Sequence, residues 1–270
     1  MADKESKEIA VKKAADLPAL PTLPNLQELR EVFEANFEGI TPTFETIKIP
    51  TGGALAWAVP GDGDEPDYEK EIQGVILDHY GCRVFWEQKY GGSGAGGPPD
   101  CSSVDGKTGS KYGDCSKCKW SQWGTATKAD GTPSRGQACK MIHRVYLWMA
   151  GKDSIFPYLL PLPPTSGQSK YDGSLQTYAV KMGAKLKKLH DVRTKLKLVA
   201  DTNADGTKYA KAQFFFVGDL TAEEKAQAAF LREQLRPAMR AKPFEVDEDN
   251  APSMANVETG AGLDPWEHGG

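Results

Sequence analysis

The chain has 270 residues, 39% of them hydrophobic, with five cysteines, 28 glycines, 18 prolines and a net charge of −4. This allows one large domain or two small ones with a real core and many loops, while an odd five cysteines excludes a disulfide-built fold. No apolar run reaches membrane-span length, and the charged opening MADKESKEIAVKK lacks the apolar stretch of a secretory signal, so a cytoplasmic location is expected.

Residues 1–24 are polar and then proline-punctuated (LPALPTLP), and read as a flexible N-terminal arm. Leu26, Leu29, Val32, Phe33 and Phe37 recur at helical spacing and predict a short amphipathic helix. Residues 44–49 and 54–59, separated by Thr-Gly-Gly, predict a hairpin. Residues 72–77 and 83–86 read as a second strand pair around Tyr80-Gly81. A Gly-rich segment of about 90–140 follows, and then an apolar, aromatic strand at 141–149. Prolines break the chain at 161–164, and 171–189 reads as a helix. Residues 195–200 and 209–217 flank an Asp-Gly turn (TNADGTK), another hairpin signal. Thr221-Ala-Glu-Glu224 is a capping box opening a last helix to about 239, and from Pro243 the composition is that of a disordered tail. The pattern alone predicts a β-rich, mixed α+β fold with helices at its edges; its many hairpin-joined strands argue for a small barrel core.

Four cysteines crowd the Gly-rich segment. Cys115-Ser-Lys-Cys118 is a tight turn able to aim two thiolates at one point; thirteen residues separate it from Cys101 and twenty from Cys139. A C-x-x-C knuckle with two distant partners is a common tetrahedral zinc arrangement. The surrounding loops are rich in Gly, Ser and Lys and cannot build a core, so Zn²⁺ is expected to hold them. Cys82 is expected to be a spare thiol. Disulfides or unrelated free thiols are the other reading of this cluster.

Charge is sorted along the chain. Residues 101–212 carry 19 Lys/Arg against 8 Asp/Glu, residues 1–100 carry 9 against 18, and residues 243–270 carry 7 acidic and no basic residues. A basic centre with an acidic tail fits a protein that binds a polyanion and regulates that binding itself. Lys117, Lys119, Trp120, Trp123, Lys128, Arg135, Lys140 and Arg144 mix cations with aromatic rings around the cysteines, and Tyr146 and Trp148 continue on one face of the next strand. Such a mixture stacks bases and neutralises phosphates of single strands; packing onto the loops or the barrel is the alternative role for Trp120, Trp123 and Trp148. Lys181, Lys185 and Lys188 share a predicted helix face, as a phosphate track or as a solvated face. In the tail, Leu263, Asp264 and Trp266 form a candidate docking tip for replication or recombination proteins, and the acidic tail is expected to compete with DNA for the basic groove.

Pro99-Asp-Cys101-Ser-Ser and Lys111-Tyr-Gly-Asp-Cys115-Ser-Lys-Cys118 resemble the zinc segment of the helix-destabilising single-stranded-DNA-binding proteins of T-even phages. The wider stretch through Gly136-Gln-Ala-Cys139 is similar to phage and mobile-element proteins. The match covers about forty residues. The resemblance implies an OB-fold-like barrel over 25–242 with a zinc-binding insertion, sequence-tolerant binding of single-stranded DNA, self-association along DNA through an N-terminal arm, and an acidic tail at 243–270; the host would then be a bacterial cell. That family uses three cysteines and an upstream histidine. Here Cys139 offers a fourth thiolate, with His79 the nearby upstream histidine and His143 four residues beyond Cys139.

No His-Glu-x-x-His, nucleophile elbow or Rossmann fingerprint is present, and the run Gly91–Gly97 lacks the Gly-Lys-Ser/Thr of a phosphate loop. The acidic stretch GDGDEPDYEKE reads as a solvated loop. A non-enzyme is expected: a single-stranded-DNA-binding protein of phage or mobile-element replication or recombination, or alternatively a zinc-ribbon transcription or assembly factor binding duplex nucleic acid or protein.

Overall fold

The computed structural model describes residues 18–49, 53–61, 63, 65–87, 99–127, 131–202, 206 and 208–241. Expectations for residues 1–17, the glycine run at 91–97, Lys128 and the tail at 243–270 lie outside the described residues.

The protein is α+β and β-rich. Fourteen elements follow in chain order: α1 (Leu26–Phe37), β1 (Trp57–Val59), β2 (Asp67–Glu69), β3 (Glu71–Phe85), β4 (Cys101–Ser103), β5 (Thr108–Gly109), β6 (Gly113–Asp114), β7 (Lys140–Met149), β8 (Tyr158–Leu162), α2 (Pro164–Gly167), α3 (Leu175–Ala184), β9 (Val192–Thr202), β10 (Lys208–Asp219) and α4 (Ala222–Ala241). The main sheet is antiparallel and runs β10-β9-β3-β7-β8, with β4 also on β3. Among the described strands no ladder joins β10 to β8, so the expected closed barrel is absent and the sheet is open.

The spine is β3. The turn expected at Tyr80-Gly81 does not form, because Tyr80 and Gly81 pair directly with Arg144 and His143 on β7 and the strand runs on. Gly74 pairs with both Met149 and Thr194, and Arg83 with both Ser103 and Met141. A strand has two edges, so β7 fills one while β9 and β4 share the other. At Gly74 a Cβ would lie 2.3 Å from the Trp148 carbonyl oxygen, so only glycine permits this approach.

A bulge between Ile76 and Asp78 lets one strand serve two cores, because an extra residue reverses which side chains face which side. Before it, Ile72 and Ile76 join a core with Val145, Leu147, Leu160, Leu196 and Phe214, beneath Tyr178 and Met182 of α3. After it, Tyr80, Cys82 and Val84 line up with Val75 and Leu77 in a second core under α1 and α4. The first helix is where periodicity placed it, with Leu29 and Phe33 buried. The capping box of α4 also forms: Thr221 N–H donates to Glu224 Oε2 at 2.8 Å and Glu224 N–H to Thr221 Oγ1 at 3.2 Å.

Four further local expectations are corrected. The part of the expected flexible arm that is described, residues 18–24, is packed: Leu20 and Leu23 are buried in the second core, and Gly151 N–H donates to Ala19 O at 2.8 Å. Residues 44–49 make single bridges, Thr46 to Leu159 and Lys48 to Ala58, while β1 pairs with β2 rather than forming a full hairpin with them. The helix expected over 171–189 is confined to Leu175–Ala184, since a Ser174 cap starts it and Leu186, at φ 55°, ends it. Pro161 sits within β8, beyond which α2 begins at Pro164. Among the described residues no helix is long and apolar enough to cross a membrane.

The end of α4 is tied to β3 and β7 by polar bonds. The Met239 carbonyl, one of the acceptors a helix end leaves over, takes the Tyr80 and Tyr146 hydroxyls at 2.7 Å each. Arg240 grips the buried Asp78 carboxylate through Nε at 2.7 Å and Nη2 at 2.9 Å. Burial pushes this carboxyl up, but the bonds and charge of Arg240, a backbone bond from His79 and the charge of Arg232 outweigh it and hold the group below its ordinary value. Its stabilising share is therefore present above the unfolded-state value of about 3.9 and lost as pH falls through the lower folded value. Arg240→Ala should cost about 1.5–3 kcal/mol at neutral pH, the range for hydrogen bonds to a charged group, with Arg236 still 3.7 Å from the carboxylate. In urea titrations the gap to wild type should narrow below about pH 4; a gap constant with pH would refute the ionic account.

Candidate metal centre and nucleic-acid interface

The C-terminal end of β3 presents the cysteines. Phe85 pairs with Cys101 at the start of β4, and Val84 with Lys140, the residue after Cys139. Two cysteines thus leave the sheet on either side of one strand. The other two come from the knuckle after the β5–β6 hairpin, where Asp114 accepts from Ser116 N–H at 2.9 Å and Oγ–H at 2.7 Å and so shapes the turn. Cys115 N–H donates to Lys107 O at 2.7 Å and Cys139 N–H to Trp120 O at 2.8 Å, which draws the knuckle onto the sheet. Ser121 Oγ donates to the carbonyls of Cys115 and Cys118, and Gln137 Nε2 to Ser121 O at 2.6 Å.

All four side chains line one small cavity of about 10 Å³, with Arg83, Phe85, Tyr112 and Trp120 completing its wall; a void of this size holds about one water-sized particle. Cys101, Cys115 and Cys139 are buried, Cys118 is half-buried, and none is in a disulfide. Gly109 is required here, since a Cβ would stand 2.9 Å from Cys101 Sγ and 3.7 Å from Cys115 Sγ. Burial pushes the Cys115 and Cys139 thiols up, the latter to about 11, with the Arg83 charge pulling back part of the way. Among the described residues no three His, Cys, Asp or Glu side chains are drawn together into a finished ligand set. The four thiols share a pocket and would have to turn further into it to meet one ion.

The histidines are elsewhere. His79 and His143 stack on each other, 6.4 Å between ring centres, on the sheet and outside the cysteine cavity. Both Nδ1 atoms are buried without a hydrogen-bond partner. Burial, with a smaller push from His79, lowers His143 to about 4, so it stays neutral at physiological pH. Cys82 is on β3 in the second core, its thiol donating to Ile142 O at 3.4 Å.

The basic and aromatic residues fall into three groups. On the cysteine knob, Lys117, Lys119 and Arg135 are exposed and Trp123 is 62% exposed. Trp120 beside them is half-buried, one face stacked on Phe85 at 4.7 Å and Lys119 Nζ 4.3 Å from its ring centre. Its ring packs the knob onto β3. The second group is interior: Tyr146 and Trp148 do share a face of β7, but that face lies under α1 and α4, and they are 1% and 0% exposed. Neither can stack a base, which corrects their reading as contacts. Arg144 and Lys140 on the same strand are half-buried, and Arg144 Nη1 donates to Tyr80 Oη at 3.4 Å. The third group lies at α3. Lys181 is on the helix and paired with Asp172, Lys185 is its C-cap, and Lys188 falls beyond it, so the expected helical face of three lysines does not exist.

Composition-based reasoning missed Phe215 and Phe216 on β10, which are 38% and 39% exposed. Lys195 Nζ lies 5.7 Å from the first ring, and Lys187 Nζ lies 4.9 Å and Lys185 Nζ 5.9 Å from the second. The run Phe214-Phe215-Phe216 reads as buried strand, and only Phe214 is. No protein-family profile, no curated protein and no solved structure matches this chain.

Proposed function

We propose that this protein binds single-stranded DNA with little regard to sequence, in the replication or recombination of a phage or mobile element, and that Zn²⁺ holds its binding knob. The observation that carries the reading is Trp123: a large ring 62% exposed on a knob whose other exposed side chains include Lys117, Lys119 and Arg135. An open ring amid cations suits a base face with flanking phosphates. The resemblance of the cysteine segment to T-even helix-destabilising proteins supports the same function. In this reading the antiparallel sheet is an OB-type scaffold and residues 99–139 are its zinc-held insertion.

The donor set suits zinc. Cys101, Cys115, Cys118 and Cys139 are four soft ligands on one atom-sized cavity, and Arg83 on its wall would offset the negative charge of a four-thiolate centre. The metal supplies no reaction here; it would fix the loops that carry Trp123 and the lysines. The acidic tail at 243–270 is proposed to compete for the basic surface and, through Leu263, Asp264 and Trp266, to engage replication proteins.

The test is an oligo-dT titration followed by tryptophan quenching, repeated with duplex and across salt. Single strands should quench strongly and duplex weakly. The log–log salt slope should be roughly 0.7 per neutralised phosphate, and Lys119→Ala should reduce it by about that amount. Equal or preferential duplex binding would sink the reading and favour a zinc-ribbon factor instead.

A further inference from the structure

The turn after α3 has an unexplained residue. Leu186 N–H bonds to Gly183 O at 2.9 Å and Lys187 N–H to Met182 O at 3.0 Å, the paired bonds of a helix end whose penultimate turn residue is left-handed. Glycine usually fills that place. Here it is Leu186, at φ 55°, which is the one non-glycine with positive φ among the described residues, an unfavourable conformation for a bulky side chain. Burial does not repay it, because Leu186 is 95% exposed. Neither local conformation nor packing accounts for a leucine there.

Its neighbours suggest what does. Lys185 and Lys187 flank it and both reach over the Phe216 ring, while Phe215 next along β10 stands beside Lys195. Among the described residues Lys185 has no carboxylate at ion-pair distance, and the Lys187–Asp219 pair is a surface contact that exchanges at little cost. The patch is distinct from the cysteine knob. Phe215 pairs with Lys195, and Lys195 with Gln73 near the start of β3, whereas the knob is built on Phe85. That is about 40 Å along the strand at roughly 3.3 Å per residue.

We propose that this patch is a second contact surface for single-stranded nucleic acid, with Leu186 and Phe216 against bases and Lys185 and Lys187 on phosphates. The inference rests on the single-strand reading and deepens it. A half-exposed Phe216 ring with two lysines over its margin fits a polymer that alternates flat faces with phosphates, and a projecting aliphatic tip is the kind of side chain that wedges between bases. One strand bound at both surfaces would then have to span that distance between the knob and β10.

Fluorescence anisotropy with labelled oligo-dT of about 30 nucleotides, longer than the ~4–16 covered by one OB-type site, tests it on the full-length protein. Leu186→Gly is decisive because glycine relieves the backbone conformation: its melting temperature should hold or rise while affinity drops severalfold. Phe216→Ala should weaken binding about tenfold, within the range for one stacked base. Lys185→Ala/Lys187→Ala should lower the salt slope by about 1.4. If wild type binds and Trp123→Ala is impaired, yet these three variants match wild type, the second surface is wrong and the single-strand reading stands. If wild type does not bind oligo-dT at all, both fall. If all variants bind oligo-dT alike but a synthetic peptide of residues 243–270 binds wild type and not the variants, the patch receives an acidic segment and the proposal is overturned.

Discussion

Cys115→Ser is expected to abolish stoichiometric zinc, measured as metal per chain by atomic emission after exhaustive dialysis. Wild type should carry one equivalent. The knuckle supplies two of the four donors, and losing one opens a structural site that needs all four positions filled. Apparent binding free energies for such sites reach about 10–16 kcal/mol in small zinc modules and appear as folding energy of the part that binds. Here that part is the knob. Among the described residues its apolar cluster is Phe85, Cys101 and Cys139, with Tyr112, Trp120 and Ala138 against it, whereas the two main cores draw on α1, α3, α4 and the long strands. Hydrogen exchange should therefore accelerate across 99–127 and 131–139 in the variant or after chelation, while amides of β3, β7 and β9 stay protected. Cys82→Ser is the control: its thiol lies in the second core, away from the cavity, so it should keep its zinc. Full zinc retention by Cys115→Ser, or protection unchanged on chelation, would refute the metal assignment.

Legibility from sequence followed the locality of the signals. The β9–β10 hairpin, α1 and the capping box of α4 are written in near-neighbour residues, and each formed where expected. The four cysteines expected to meet at one zinc ion do line one cavity, but among the described residues no three of them are drawn together as ligands. What failed depends on distant partners. Tyr80-Gly81 looks like a turn until β7 lies alongside and pairs through it. The bulge at Ile76/Asp78 leaves no mark in composition, though it decides which residues of β3 meet which core. Likewise, alternation showed that Tyr146 and Trp148 share a face, but not that α1 and α4 cover it. Lys181, Lys185 and Lys188 fit a helical repeat; the helix ends before the repeat is complete, at a left-handed leucine no propensity would choose. Phe215 and Phe216 went unnoticed because apolar runs read as buried, and on an edge strand half of one can face water.

The sharpest separation of structure from binding is expected between two tryptophans that composition treats alike. Trp148 is fully buried on the face of β7 that lies under the helices of the second core, in the same cluster as Tyr146, Leu231 and Leu235. Trp148→Ala should therefore cost about 3–5 kcal/mol in urea unfolding, the usual toll of a large aromatic truncated in a packed core, enough to unfold a marginal domain. Trp148→Phe should restore most of that loss: its indole Nε1 is buried without a partner, so the benzene ring gives up packing area but no hydrogen bond. Trp123 is the opposite case. With 62% of its surface in solvent, Trp123→Ala should change stability by less than about 0.5 kcal/mol and weaken oligo-dT binding roughly tenfold through one lost stacking contact. The salt slope should not move, because a ring carries no charge to exchange for counterions. Paired unfolding curves and salt-resolved titrations read all five quantities. A Trp123→Ala variant that binds as wild type does would remove the exposed ring from the interface, and a Trp148→Ala variant of unchanged stability would contradict the two-core architecture itself.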